Sequence, residues 1–175
     1  MKLLYLTDLA YIAGFLDGDG SIIAQFVPRN DYKWGYQIRL TIQFTQKSTR
    51  RIYLQKLLDL TGVGYIRNRG EEKSQVWQAT PAETAKPSLA VSDLVITDVK
   101  HVHAFLKQLQ PYLKIKQKQA NLALRLIEQM PLAKNSLEKF IENVKLVDQI
   151  SALNDSKSRQ ITGDIVMKHL LSLKQ

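Results

Sequence analysis

The sequence contains no cysteine, which removes disulfides, cysteine-based zinc modules and thiol nucleophiles together. A secreted, disulfide-stapled scaffold is disfavoured, and a reducing interior fits. No apolar run approaches the length needed to span a bilayer, so no membrane role is expected. Residues Met1–Leu9 carry Asp8 and lack the basic, apolar and small-residue sections of a signal peptide, and no transit peptide is visible. The expectation is an intracellular protein working in the compartment where it is encoded, an organelle such as a chloroplast or mitochondrion, or a prokaryotic cytoplasm. Acids are also scarce: 16 Asp+Glu face 25 Lys+Arg, for a net charge of +9. That excess is the electrostatic footprint of a nucleic-acid binder, with a merely soluble basic surface as the bland alternative. The placement of the cations decides between them.

What is present reads as one domain over residues 1–175, with a core over about residues 5–130 and a helical extension over about 131–175. Thr7 is positioned to cap a helix reading Leu9–Leu16, which the two glycines of Asp17-Gly18-Asp19-Gly20 bring to an end. Ser21–Val27 reads as a strand stopped by Pro28, and Arg29–Gly35 as a polar loop. Tyr36–Gln46 alternates strictly, with Ile38, Leu40, Ile42 and Phe44 on one face and Gln37, Arg39, Thr41, Gln43 and Thr45 on the other. Ser48–Leu60 turns helical, with Ile52, Leu54, Leu57 and Leu58 predicted inward. Gly62 and Gly64 precede a short strand, Tyr65–Arg69. Glu71–Leu89, with Pro81 and Pro87 and no periodicity, reads as a long excursion before the strand Val91–Thr97. Asp98 caps a helix to about Gln110, which Pro111 ends; further helices are predicted over Lys116–Gln129, Ser136–Asn154 and Thr162–Leu173. In the Ser136–Asn154 helix, Phe140, Val144, Val147 and Ile150 point inward. The order α-β-β-α-β-β-α followed by helices is α+β with antiparallel pairing.

The chemistry concentrates in Ala10–Gly20. Ala10 and Gly14 lie one turn apart with Ala13 beside them, small residues that let another helix approach closely. Asp17 and Asp19 follow at the negative end of the helix dipole, where carboxylates call for a compensating cation. A hard divalent ion bound by carboxylate, carbonyl and water or phosphate would supply it; a solvated Asp-Gly turn is the commoner fate of such dipeptides.

Tyr11–Gly20, reading YIAGFLDGDG, closely resembles the signature of the LAGLIDADG homing endonucleases. GSIIAQ (Gly20–Gln25), TQKSTRR (Thr45–Arg51), GVGYIRNRG (Gly62–Gly70), QLQPYLKIKQKQAN (Gln108–Asn121) and ALNDSK (Ala152–Lys157) resemble segments of its single-motif, homodimeric, intron-encoded branch, in the same order. The resemblance implies an αββαββα core with a saddle-shaped antiparallel sheet along DNA. It also implies two signature helices packed at a dimer axis through Ala10, Ala13, Gly14 and Asp17. Asp19 would bind metal together with the carbonyl of Gly18, and Asp17 would be a helix-end structural residue. Gln46, Arg50 and Lys114 match peripheral catalytic positions, with Lys116 as the weaker substitute for Lys114. Mg²⁺ is the implied ion, with Mn²⁺ as a substitute and Ca²⁺ supporting binding without cleavage. Since the motif occurs once, a second subunit is needed to cut both strands.

The polar strand face stands largely without the resemblance. Gln37, Arg39, Gln43 and Thr45 project together, as do Tyr65, Arg67 and Arg69, and the Arg and Gln types suit major-groove base edges. Gln25, Arg29, Asn30 and Tyr32 extend this surface outward, Lys116 adds a cation, and Lys157 and Arg159 are expected on phosphates. The plain reading is a solvated sheet face; its length and shortage of acids argue against that, and Asp93 is expected to pair with Arg67 or Arg69. His101, His103 and His169 match no ligand spacing. The expected activity is a metal-dependent double-strand break at a long pseudo-palindromic site that promotes intron homing. An RNA-binding maturase acting on intron RNA and a cleavage-inactive DNA repressor are the alternatives.

Overall fold

The computed structural model describes residues 4–69, 90–154 and 159–172. The predicted excursion Glu71–Leu89 and the position of Lys157 lie outside them. Helix α1 (Leu6–Asp19) leads into a hairpin of β1 (Gly20–Pro28) and β2 (Tyr36–Lys47). A single 3₁₀ turn then enters α2 (Arg51–Thr61), followed by β3 (Tyr65–Arg69), β4 (Val91–Ile96) and α3 (Val99–Leu109). The predicted αββαββα order is present, and α4 (Gln117–Ala133), α5 (Leu137–Ala152) and α6 (Gly163–Ser172) complete it.

The four strands form one antiparallel sheet in the order β1-β2-β4-β3. Because side chains alternate, the register assigns every residue to a face. Ile22, Ala24 and Phe26 of β1 lie with Ile38, Leu40, Ile42 and Phe44 of β2 and with Leu94 and Ile96 of β4, all at most 6% exposed. This apolar face is covered by Ile12, Ala13 and Leu16 of α1, Leu54 and Leu57 of α2, and Val102, Phe105, Leu106 and Leu109 of α3. The Phe44 ring packs tilted against Phe15 at 5.3 Å and edge-on to Phe105 at 6.2 Å, so the signature helix and α3 meet over β2 at this residue. Trimming a buried leucine in this layer to alanine costs about 2–5 kcal/mol.

Four local expectations change. α1 starts at Leu6, not after Thr7, because the Asp8 carboxylate folds back to accept the Tyr5 amide at 3.3 Å, an N-terminal tie set before the predicted cap. Ile52, predicted inward, is 57% exposed, because α2 buries the stripe Leu54, Leu57 and Thr61, and two residues of helix turn Ile52 to the opposite side from Leu54. α4 passes through Pro131 and ends at Ala133, since a proline in the last turn removes one hydrogen bond where the helix is finishing anyway. Pro111 sits in a 3₁₀ turn, Gln110–Tyr112, that prolongs α3 before the chain breaks away. The predicted cap Asp98 holds, accepting from the His101 amide; Ser136, read as the first residue of its helix, caps it instead, accepting from the Lys139 amide. The inward residues of α5 are buried as expected.

Candidate active site and nucleic-acid interface

α1 delivers its two acids to different partners. Asp17 accepts the backbone N–H groups of Lys114 at 2.7 Å, Ile115 at 3.1 Å and Lys116 at 2.8 Å. Burial pushes its carboxyl up. The three amides, together with the Lys116 ammonium, outweigh that and hold it below its ordinary value. Lys116 Nζ in turn donates to the Asp17 carbonyl at 2.6 Å, supplying the cation that the negative helix end requires. Asp17 thus ties the signature helix to the segment before α4.

Asp19 is exposed at the last position of the helix, where the next residue, Gly20, pairs with Phe44. Gly20 accepts no side chain without displacement, since a Cβ there would meet the Leu16 backbone at 2.8 Å. Parity puts Gln46 on the helix side of β2, two residues past Phe44, and there Gln46 Nε2 donates to Asp19 Oδ2 at 2.5 Å. That bond uses an amide hydrogen and leaves the Gln46 carbonyl oxygen as an acceptor for water. Arg50 is exposed at the end of the 3₁₀ turn that follows.

A hollow of about 600 Å³ opens beside Asp19, walled by Gly18, Ser21, Gln25, Thr45 and Lys116 among others. Lys116, the weaker candidate by sequence, lines this hollow; Lys114 does not, and its exposed side chain has only its backbone committed to Asp17. The two lysines thus have different surroundings: the Lys116 ammonium is directed to the Asp17 carbonyl at the hollow, and the Lys114 side chain is exposed outside it. Sequence could not resolve this, because both lysines occupy the same basic run and the distinction is made 97 residues away at Asp17.

The donor set suits a magnesium-type ion. Asp19 offers one carboxylate, and the Gly18 carbonyl has no helical N–H ahead of it once α1 ends. No group of three or more His, Cys, Asp or Glu side chains is assembled among the described residues. Mg²⁺ is held in that way, by one or two carboxylates with water and phosphate completing the shell.

The expected polar face is assembled. Gln25 lies opposite Arg39 and Val27 opposite Gln37; Thr45 lies opposite Asp93, and Asp93 opposite Arg67. Tyr65 and Arg69 share that face. Asp93 is its organiser: its carboxylate, with no exposure, takes Arg67 at 2.9 Å, Arg69 at 2.7 Å and the Thr45 hydroxyl at 2.8 Å. Thr45 also accepts from the Gln43 amide at 3.0 Å. Burial pushes the Asp93 carboxyl up, and the hydrogen bonds from Arg67, Thr45 and Arg69 outweigh it and hold it below its ordinary value. Both arginines pair with Asp93, where sequence suggested one or the other.

Arg29, Asn30 and Tyr32 are exposed on the β1–β2 turn, where Asp31 grips the Arg29 guanidinium through two 2.9 Å bonds. Arg159 lines the hollow, yet its guanidinium is directed into the protein by Asp148 and by Ser151 at 2.8 Å. It braces its own chain before it can serve a phosphate. The small-residue stripe is divided: Ala10 and Gly14 are exposed, and a Cβ added at Gly14 or Gly18 meets nothing within 4 Å. Ala13, expected with them at an interface, is fully buried in its own chain and faces the sheet. Leu6 and Tyr11, which composition did not flag, take its place on the outer face at 65% and 60% exposed.

Residues 12–91 match the family model described as LAGLIDADG endonuclease. Over 167 residues the chain is 50% identical to the DNA endonuclease I-CreI of Chlamydomonas reinhardtii, spanning 95% of this chain and 91% of that one. This chain belongs to the LAGLIDADG endonuclease family. The DNA endonuclease I-CvuI of Chlorella vulgaris is 30% identical over 94% of this chain and 90% of its own. The crystal structure of I-CvuI with its target and Ca²⁺ superposes with a TM-score of 0.79, at 28% identity, covering 98% of this chain and 99% of that one. The archaeal intron-encoded I-Vdi141I bound to DNA shares the fold, with a TM-score of 0.74 over 96% of this chain and 97% of that one at 16% identity. In this LAGLIDADG chain the signature helix accordingly ends on the Asp19–Gln46 contact at one end of a four-stranded polar face.

Proposed function

We propose that the chain is a site-specific homing endonuclease that cuts double-stranded DNA with Mg²⁺ as a homodimer. The observation that carries this reading is the contact between Asp19 and Gln46 beside an acid-poor sheet face of Gln and Arg. The 50% identity to an endonuclease over nearly the whole chain supports it. The crystal structures of I-CvuI with its own target in Ca²⁺ and with the I-CreI target, uncleaved, in Mg²⁺ support duplex DNA as the partner.

Asp19 and the Gly18 carbonyl would hold the metal, which supplies charge for the scissile phosphate and an acidified water. Gln46, fixed by its bond to Asp19, presents its free carbonyl oxygen to orient the attacking water. Lys116 and Arg50 stabilise the charge that grows on phosphate in the transition state. Gln37, Arg39, Gln43, Thr45, Tyr65, Arg67 and Arg69 face the major groove. Dimerisation rests on the exposed stripe Leu6, Ala10, Tyr11 and Gly14, and on Ile115, 72% exposed beside the end of α1. One chain carries one Asp19, so two chains make one double-strand cut.

The test incubates the protein with duplex DNA spanning the intron insertion site of its own gene, with Mg²⁺ or with chelator. Metal-dependent cleavage that Asp19→Asn abolishes while binding survives is expected. Tight intron-RNA binding with no cleavage at any divalent ion would overturn the reading. A stable monomer in sedimentation, with one chain bound per DNA, would overturn the dimer.

A further inference from the structure

The turn between β1 and β2 carries Arg29, Asn30 and Tyr32 but has no apolar core of its own, since residues 28–33 are all exposed. It is braced internally by three backbone bonds, Arg29 N–H to Gly35, Tyr32 N–H to Arg29 and Gly35 N–H to Tyr32. Those bonds give the turn its shape and leave its direction open. Its direction is set by the helices behind the sheet. Trp34 Nε1 donates to the carbonyl of Ala133, the last residue of α4, at 2.8 Å. The Trp34 ring lies 6.2 Å from Phe140 of α5, and the Lys33 ammonium sits 4.7 Å over that ring while reaching the Asn135 carbonyl at 3.3 Å. The Ala133 and Asn135 carbonyls lie at and just beyond the end of a helix, where carbonyls lack helical donors. The indole and the ammonium therefore attach the turn to the α4–α5 corner by groups that the corner itself needs.

We propose that Trp34 is the positioning residue for the outer part of the DNA interface, fixing where Arg29, Asn30 and Tyr32 meet the duplex. This rests on the function proposed above. The turn lies at the opposite end of the hairpin from Asp19, because Gly20 pairs with Phe44 and Pro28 with Tyr36. Eight strand steps put the two ends about 27 Å apart. At 3.4 Å per base along one strand, the turn reads about eight base pairs outboard of the cut. Gln43, Arg67 and Arg69 belong to an inner set organised by Asp93, which Trp34 does not touch. Trp34 thus governs one part of the read sequence and leaves the other alone.

Trp34→Phe keeps a ring against Phe140 and removes the N–H donor together with part of the indole surface. The test selects cleaved products from a duplex library randomised across the site, for wild type and variant. Base preference about eight pairs from the cut is expected to fall about fivefold, the effect of one lost hydrogen bond. Preference nearer the cut and the rate on the best inner sequence are retained. Amide hydrogen exchange without DNA gives the second readout: the Tyr32 and Gly35 amides exchange faster in the variant, and the Gln43–Thr45 amides do not. If wild type cuts no library member, the function reading fails. If wild type cuts and the variant profile is unchanged, or flattened equally at all positions, the role of Trp34 is overturned. Unchanged exchange at Tyr32 and Gly35 overturns it as well.

Discussion

Asp17 and Lys116 hold one another twice: the Lys116 amide donates to the Asp17 carboxylate at 2.8 Å, and the Lys116 ammonium donates to the Asp17 carbonyl at 2.6 Å. With the Lys114 and Ile115 amides added, this carboxylate fixes the end of the signature helix to the chain entering α4. Asp17→Ala leaves three amides without their acceptor and is expected to lower stability by about 2–3 kcal/mol. The pH dependence follows from the direction of the shift. Unfolded, the Asp17 carboxyl titrates near 3.8; folded, it titrates lower. Between the two the unfolded chain binds more protons, so acid favours unfolding. The contribution is complete above the unfolded value and disappears as pH falls through the folded one. Urea titrations of wild type and variant should differ by a constant amount from pH 7 to 5, and the difference should begin to shrink only as pH falls below about 3.8.

Lys116 and Lys114 are separable by activity. Lys116→Met removes a cation from the hollow beside Asp19 and the donor from the Asp17 carbonyl. Its expected cost is about a hundredfold in single-turnover cleavage, the order seen when one charge-stabilising donor is removed. Lys114→Met leaves the backbone bond to Asp17 intact and should cost less than about tenfold, through weaker phosphate attraction. Equal losses in the two variants would reject the assignment of Lys116 over Lys114.

The strict alternation of Tyr36–Gln46 was enough to identify the long strand and both of its faces, because burial on one side of a sheet leaves a period of two. The polar face needed only one further step, the pairing of β3 and β4 with β2, to bring Arg67 and Arg69 beside Thr45. Long-range choices were not legible. Nothing in the run Lys114-Ile115-Lys116 says that Asp17 will take its amides and aim the second lysine inward. Arg159 reads as a loop cation until Asp148, eleven residues back on α5, is found holding it. Ala13 and Ala10 are equivalent by composition, and only the packing of α1 against the sheet separates the buried one from the exposed one. Local phase failed at Ile52, because two residues of helix put it on the opposite side from Leu54.

Asp93 spaces two arginines on the reading face by pairing with both. Asp93→Asn removes one negative charge from a surface that meets a polyanion and frees both guanidiniums. Non-specific affinity for DNA is expected to rise, while discrimination at the bases contacted by Arg67 and Arg69 falls by about 1–3 kcal/mol per lost bidentate contact. Competition assays with mismatched duplexes at several salt concentrations measure both. A variant that keeps wild-type discrimination would show that the arginines are oriented by DNA alone, without Asp93.

Asn143 contradicts the rest of α5. It is fully buried, and neither its amide nitrogen nor its oxygen has a hydrogen-bond partner among the described residues. Its neighbours in sequence and packing, Phe140, Val144 and Val147, are apolar core. A buried amide left unpaired gives up its hydration without return, at a cost of about 1–3 kcal/mol. Valine is close to asparagine in helix propensity, so the backbone is indifferent to the exchange. Asn143→Val is expected to stabilise the chain by about 1–2 kcal/mol, raising Tm by about 2–4 °C per kcal/mol for a domain of this size. Cleavage should be unchanged, because Asn143 is buried in the core and does not line the hollow beside Asp19. A fall in Tm would mean that the amide is paired in solution.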